Sequence, residues 1–185
     1  WQPPGVTHTL YWSKNTGAFA VEAALVLAGI PFEGIEVDYE GGGLSTPAYL
    51  KINPMGQIPT LILPDGVIMT ESAAMMIYVS ELCDDPALSP APRTPQRAAF
   101  LRWLLFLATT IYEADLRYFY PHRYTADSDG IESVKEAALA HMWQGFRVMD
   151  TALGQSEFLC GAEMSFADVY AAMVVSWCEE PTSAP

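Results

Sequence analysis

The chain has 185 residues, 51% of them apolar, and a net charge of −13. That charge argues against nucleic acid or an anionic membrane as a main partner, since both require a basic patch. The apolar share suffices for one large domain or two small ones and gives no disorder signature. Its longest apolar runs break well short of the ~18 residues that suggest a transmembrane helix.

The start, Trp1-Gln2-Pro3-Pro4-Gly5, has neither a basic nor an apolar leader region, so no signal peptide is expected. Cys83, Cys160 and Cys178 are widely spaced and odd in number, and His8, His122 and His141 form no metal-ligand spacing. The expectation is a cytoplasmic protein with reduced thiols and no metal.

In chain order, residues 7–12 (THTLYW) are rich in β-formers and predict a first strand. A polar loop, Ser13-Lys14-Asn15-Thr16-Gly17, precedes an Ala- and Leu-rich helix over 18–28 that Gly29 and Pro31 end. Residues 32–37 predict a second strand, parallel to the first because a helix joins them. After the flexible Gly41-Gly42-Gly43, Thr46 caps a short helix with Pro47 at its first position.

The stretch from Lys51 to Ser72 organises this half. Asn53-Pro54-Met55-Gly56-Gln57 is turn-rich, and residues 58–63 and 67–69 predict two short strands joined by Pro64-Asp65-Gly66. Pro59 holds Ile58 extended and withdraws one ladder donor, leaving a backbone with which an added peptide can pair. Thr70 is the expected cap of a helix beginning at Glu71-Ser72. The free N–H groups of its first turn suit a carboxylate, and Glu71 suits an ammonium. On the local pattern alone, a hairpin and a capped helix with no ligand is the favoured reading.

Residues 84–95 carry Pro86, Pro90, Pro92 and Pro95 and read as a linker. Beyond it no strand signal remains. Residues 96–120 predict one long helix stopped by Pro121, and residues 131–153 another, closed by Gly154. Ser165-Phe166-Ala167-Asp168 is a capping box at the head of a third, assigned no chemistry.

Asn53-Pro54, Gly56-Gln57, Pro59 and Glu71-Ser72, at this mutual spacing, closely resemble the glutathione-binding half of the cytosolic glutathione transferases. The likeness extends more loosely over nearly the whole chain. It implies an α/β plus all-α architecture. A thioredoxin-like domain over 1–82, ordered β-α-β-α-β-β-α, would be followed by a linker over 83–94 and an all-helical domain over 95–185. It also implies a homodimer, glutathione as co-substrate without a metal, and a cis Ile58–Pro59 bond. The backbone of Ile58 would pair with the cysteinyl part of glutathione, and Glu71 and Ser72 would hold its γ-glutamyl end. Lys51, Gln57 and Pro59 belong to the same contact region.

In that family the residue that activates the thiol lies between the first strand and first helix. Here the candidates are Thr16, then Ser13, then Asn15. Thr16 ranks first because it directly precedes the helix. The loop has no cysteine, which disfavours a disulfide reductase. The resemblance puts the hydrophobic electrophile beside the helix after the linker, with Tyr112 and Arg117 as candidates. The resulting expectation is an enzyme that activates glutathione for attack on a small hydrophobic electrophile. The alternative is a non-catalytic binding or regulatory protein of the same fold. The tail, Glu179 to Pro185, cannot continue a helix, whereas the family usually has more helix there.

Overall fold

The computed structural model describes residues 7–178. It divides the chain into two compact units, Trp1–Ser89 and Pro90–Pro185. The segment read as a linker is therefore split, with Asp84–Ser89 belonging to the first unit.

In the first unit a four-stranded sheet has the order β2-β1-β3-β4. The strands are β1 (His8–Trp12), β2 (Phe32–Glu36), β3 (Thr60–Ile62) and β4 (Ile68–Met69). Alternation drives β1: His8 and Leu10 are fully buried, while Thr9 and Tyr11 are only partly so. β1 pairs in parallel with β2, the two being joined by helix α1 (Ala18–Leu27), as the helical crossover requires. β3 runs antiparallel to both β1 and β4. The hairpin between β3 and β4 closes through Gly66, whose φ of +86° a side chain would resist. The short helix α2 (Pro47–Leu50) starts as expected, with the Thr46 hydroxyl accepting from Tyr49 N at 3.2 Å.

Helix α3 (Ser72–Leu82) packs on α1. The core includes Ala20, Val21, Ala24 and Leu25 from α1, Met75, Met76 and Val79 from α3, and Leu10 and Leu61 from the sheet. Thr70 does not cap α3. The capping position is Glu71, at φ 64° and ψ 99°, and its side chain makes no capping bond. The chain turns sharply from β4 into the helix at Glu71, which leaves Thr70 one position too early.

In the second unit the expected single helix over 96–120 is three segments. α4 (Pro95–Phe106) leads into a π-helical stretch (Leu107–Tyr112) and then α5 (Glu113–Phe119). Thr94 caps α4 through Arg97 N at 3.1 Å. Inside the run, the Thr109 hydroxyl donates to Leu105 O at 2.8 Å. This local competition for the helix's own carbonyls accompanies distorted helices. α6 (Ile131–Leu153) lies against the π-helical stretch. A Cβ on Gly145 would sit 2.7 Å from Ile111 Cγ1, so only glycine allows that approach.

α7 (Phe166–Ser176) opens with the expected capping box. Ser165 Oγ accepts from Ala167 N, and Ser165 N donates to Asp168 Oδ2 at 2.8 Å. Asp168 does more than cap, because its Oδ1 also accepts from Leu159 N at 2.8 Å and ties the preceding loop down. Among the described residues this unit is helical apart from one isolated bridge, Phe158 to Gly161. The expectations for Trp1–Gly5 and for the tail from Glu179 concern segments outside the described residues.

Candidate functional site

Strand pairing brings three segments to one end of the sheet. Tyr11 on β1 is opposite Thr60 on β3, so the Ser13–Thr16 loop leaves β1 beside Ile58 and Pro59. Leu61 on β3 is opposite Met69 on β4, so Glu71 and Ser72 leave β4 at the same end. Residues far apart in sequence thus share one edge because β3 is antiparallel to both neighbours.

The approach to this edge is held by a buried polar network. Tyr49, Asn53 and Thr60 are all at most 5% exposed. Tyr49 Oη donates to Gln57 O at 2.7 Å, and Asn53 Nδ2 donates to the same carbonyl at 2.8 Å. Asn53 Nδ2 also lies 3.1 Å from Thr60 Oγ1, which is 3.0 Å from Tyr49 Oη. Asn53 Oδ1 accepts from Met55 N at 3.1 Å. One proton arrangement satisfies every group: Tyr49 and Asn53 donate to Gln57, Asn53 donates to Thr60, and Thr60 donates to Tyr49. Burial pushes the Tyr49 phenol up, keeping it a donor.

The carbonyl of Gln57 is therefore fixed from two sides immediately before Ile58. The Ile58 side chain is itself buried against Val37 and Tyr49, with Tyr11 packed on that cluster. The Ile58–Pro59 bond is cis, as the resemblance implies. The backbone N–H and C=O of Ile58 bond to no other backbone group among the described residues. Tyr49 and Thr60 are positioning residues that sequence reasoning missed. Only Asn53, within the Asn-Pro turn, carried a visible signal.

Glu71 is exposed, and its positive φ is unusual for a residue with a side chain. Ser72 is buried at the first position of α3. The first-turn N–H groups of α3 have no preceding helical carbonyls to bond. Lys51 is exposed at the end of α2, and the Gln57 side chain is exposed too.

In the loop after β1, Thr16 Oγ1 donates to Ser13 O at 2.7 Å, and Ala18 N lies 3.4 Å from the same hydroxyl. The single proton of Thr16 is thus engaged within the loop. The Ser13 hydroxyl is half-buried, and Asn15 is exposed at φ 54°.

The Glutathione S-transferase, N-terminal domain family matches residues 18–82. Glutathione S-transferase GstA of Escherichia coli O157:H7 is 27% identical over 91% of this chain and 81% of its own length. A crystal structure of a glutathione transferase homologue from Sulfitobacter, with bound glutathione, superposes with a TM-score of 0.84 at 27% identity. It covers 93% of this chain and 82% of that one. Residues 18–82 thus match a glutathione S-transferase N-terminal domain, and the chain as a whole is similar in sequence and fold to glutathione transferases. A probable elongation factor 1-gamma 1 of Arabidopsis thaliana is also similar, 30% identical over 89% of this chain but only 38% of its own length.

In the helical unit, the two electrophile candidates have different surroundings. The Tyr112 ring, in the π-helical stretch, lies 4.9 Å from that of Trp177 at the end of α7. Arg117 pairs with Glu113 at 3.2 Å and lies 5.3 Å from the Tyr124 ring. Burial raises the Cys160 thiol, and burial plus the nearby Asp115 charge pushes Cys178 up to about 11. Neither thiol is a thiolate at neutral pH. Among the described residues no group of His, Cys, Asp and Glu could hold a metal ion, and no helix is long and apolar enough to cross a membrane.

Proposed function

We propose that this protein binds glutathione at the end of its sheet and activates the thiol for attack on a small hydrophobic electrophile. The observation carrying this reading is the convergence of three segments: the Ser13–Thr16 loop, the anchored Gln57-Ile58-Pro59 turn and the Glu71-Ser72 helix start. The backbone of Ile58 pairs with the cysteinyl part of the tripeptide, as an added strand would. The start of α3 with Ser72 takes the γ-glutamyl carboxylate, and Glu71 takes its ammonium. Lys51 and Gln57 contribute side chains from the flanking turn.

A thiol near its ordinary pKa of about 8.5 is mostly protonated at neutral pH, so a donor is needed to favour the thiolate. Because the Thr16 proton is turned to Ser13 O, Ser13 becomes the first choice of donor and Asn15 the second. Thr16 braces the loop. The released proton passes to solvent, and the thiolate sulfur bonds to the electrophilic carbon as that carbon's bond to its leaving group breaks, the leaving group departing as an anion with the bonding pair.

Isothermal calorimetry with glutathione, together with the ultraviolet absorbance of the bound thiolate, tests the reading. Binding accompanied by the thiolate band is expected. No binding would sink it. Binding without a thiolate would favour the alternative, a non-catalytic module, a role to which the elongation-factor similarity lends some weight.

A further inference from the structure

The last residue of β1, Trp12, is held to β2 by its backbone and by its side chain. Its carbonyl accepts from Val37 N at 2.8 Å, which carries the parallel ladder one step past the end of β2. The indole lies back across the same strand. A Cβ on Gly34 would sit 3.1 Å from Trp12 Nε1 and 3.5 Å from Trp12 Cδ1, with the Phe32 ring 3.9 Å away. Trp12 is in register with Glu36, so Gly34 is two positions back on the same face. The indole therefore fills the space that a side chain at position 34 would take.

Gly34 does not have the positive φ that would require glycine. Glycine weakens a strand interior, and it commonly marks a close approach by another group. Here the approaching group is the indole of Trp12.

Ser13 follows directly. Its carbonyl accepts from the Thr16 hydroxyl at 2.7 Å, and Thr16 O accepts from Phe19 N in α1 at 3.1 Å. The far side of Ser13 is thus tied to the helix, and its near side depends on how Trp12 is seated. On β2, Val37 is buried with Ile58 and Tyr49, so the strand that seats Trp12 leads into the anchored turn.

We infer that Trp12, seated on Gly34, is a positioning residue that fixes how Ser13 leaves β1 and hence where its hydroxyl meets the thiol. A hydrogen bond weakens steeply as its donor is misaligned, so a small shift of the strand end is felt at the sulfur. This inference rests on the glutathione reading and on Ser13 as the donor.

Gly34→Ala, made in the full chain, sets a methyl against the indole edge and changes no residue of the loop or of the glutathione contacts. Ala in place of Gly is ordinarily neutral or stabilising where the backbone permits it, so a purely structural role predicts no effect on the thiol. The ultraviolet thiolate band of bound glutathione is titrated against pH at saturating glutathione, in wild type and variants. The midpoint should rise by about half to one pH unit in Gly34→Ala, which is about three- to tenfold less thiolate below it. Trp12→Phe, with a smaller ring, should raise the midpoint as well. Adding Gly34→Ala to Trp12→Phe should then move it no further, because the indole that the methyl displaces is gone.

Circular dichroism checks folding, and Trp12→Phe carries the test by itself if Gly34→Ala does not fold. A midpoint equal to that of wild type in the folded single variants would overturn the inference. So would a Gly34→Ala effect of the same size with and without the indole. Wild type that binds no glutathione, or binds it with no thiolate band, would overturn the underlying reading too, and that is seen before any variant is compared.

Discussion

Replacing Asp115 by Asn should stabilise the protein at neutral pH, by an amount that the structure sets. Burial raises the Asp115 carboxyl from 3.8 to about 6. At about 1.4 kcal/mol per pKa unit, ionising it inside the fold costs about 3 kcal/mol more than in the unfolded chain. The folded state therefore keeps a proton that the unfolded chain has already lost between these two values. The favourable contribution is complete below the lower value and is lost as pH rises through about 6. Asn has no such proton to lose, so its advantage should grow from about pH 4 to a plateau above about pH 7.

The background runs the other way. Burial lowers His8 below 6.5, so its contribution is present above that value and is lost as pH falls below it. His8 is present in both proteins and cancels in their difference. Urea unfolding of the two proteins, followed by circular dichroism at several pH values, gives that difference directly. A gap between them that does not change with pH would refute the argument, as would an Asn variant no more stable than wild type at about pH 8.

Asn53→Ala should destabilise the first unit by about 2–4 kcal/mol, since it strips bonds from Gln57 O, Thr60 and Met55 N in a buried setting; a loss under about 1 kcal/mol in urea unfolding would mean that water replaces them. Ser72→Ala should weaken glutathione by roughly 1–3 kcal/mol in calorimetry, and an unchanged affinity in a folded variant would show that Ser72 is misplaced. Ser13→Ala should raise the kinetic pKa of the bound thiol by about 1–2 units and slow conjugation of an aryl halide about 10- to 100-fold at neutral pH, with Asn15→Ala and Thr16→Val milder; if Thr16→Val alone moves the pH–rate profile, the ranking from the Thr16–Ser13 bond is wrong. Light scattering at micromolar concentration should give the mass of a homodimer, and a monomer would end that expectation.

What the residues determined alone was local. Thr46-Pro47 and Thr94-Pro95 start helices because a hydroxyl and a preset φ act within one turn. Ser165 and Asp168 close a capping box across three positions, and Gly66 closes the hairpin because only its own φ matters. The Asn-Pro, Gly-Gln, Pro and Glu-Ser spacing pointed to the glutathione S-transferase N-terminal domain that residues 18–82 match, since those residues lie within one continuous stretch.

Contacts between distant residues were decided by the tertiary structure. Tyr49 reads in sequence as an ordinary aromatic on a short helix, yet its hydroxyl reaches Gln57 O only because the turn folds back over α2. Thr16 looked like the best donor to a thiolate until the loop closed and gave its proton to Ser13. Thr70 looked like a cap, but the turn out of β4 placed Glu71 there. Asp115 resembles any carboxylate on a helix, and nothing in its neighbours along the chain foretells burial without a partner. Helical periodicity shows which face turns inward. Whether a polar atom on that face meets a partner depends on side chains delivered by other elements, and that is set only when they pack.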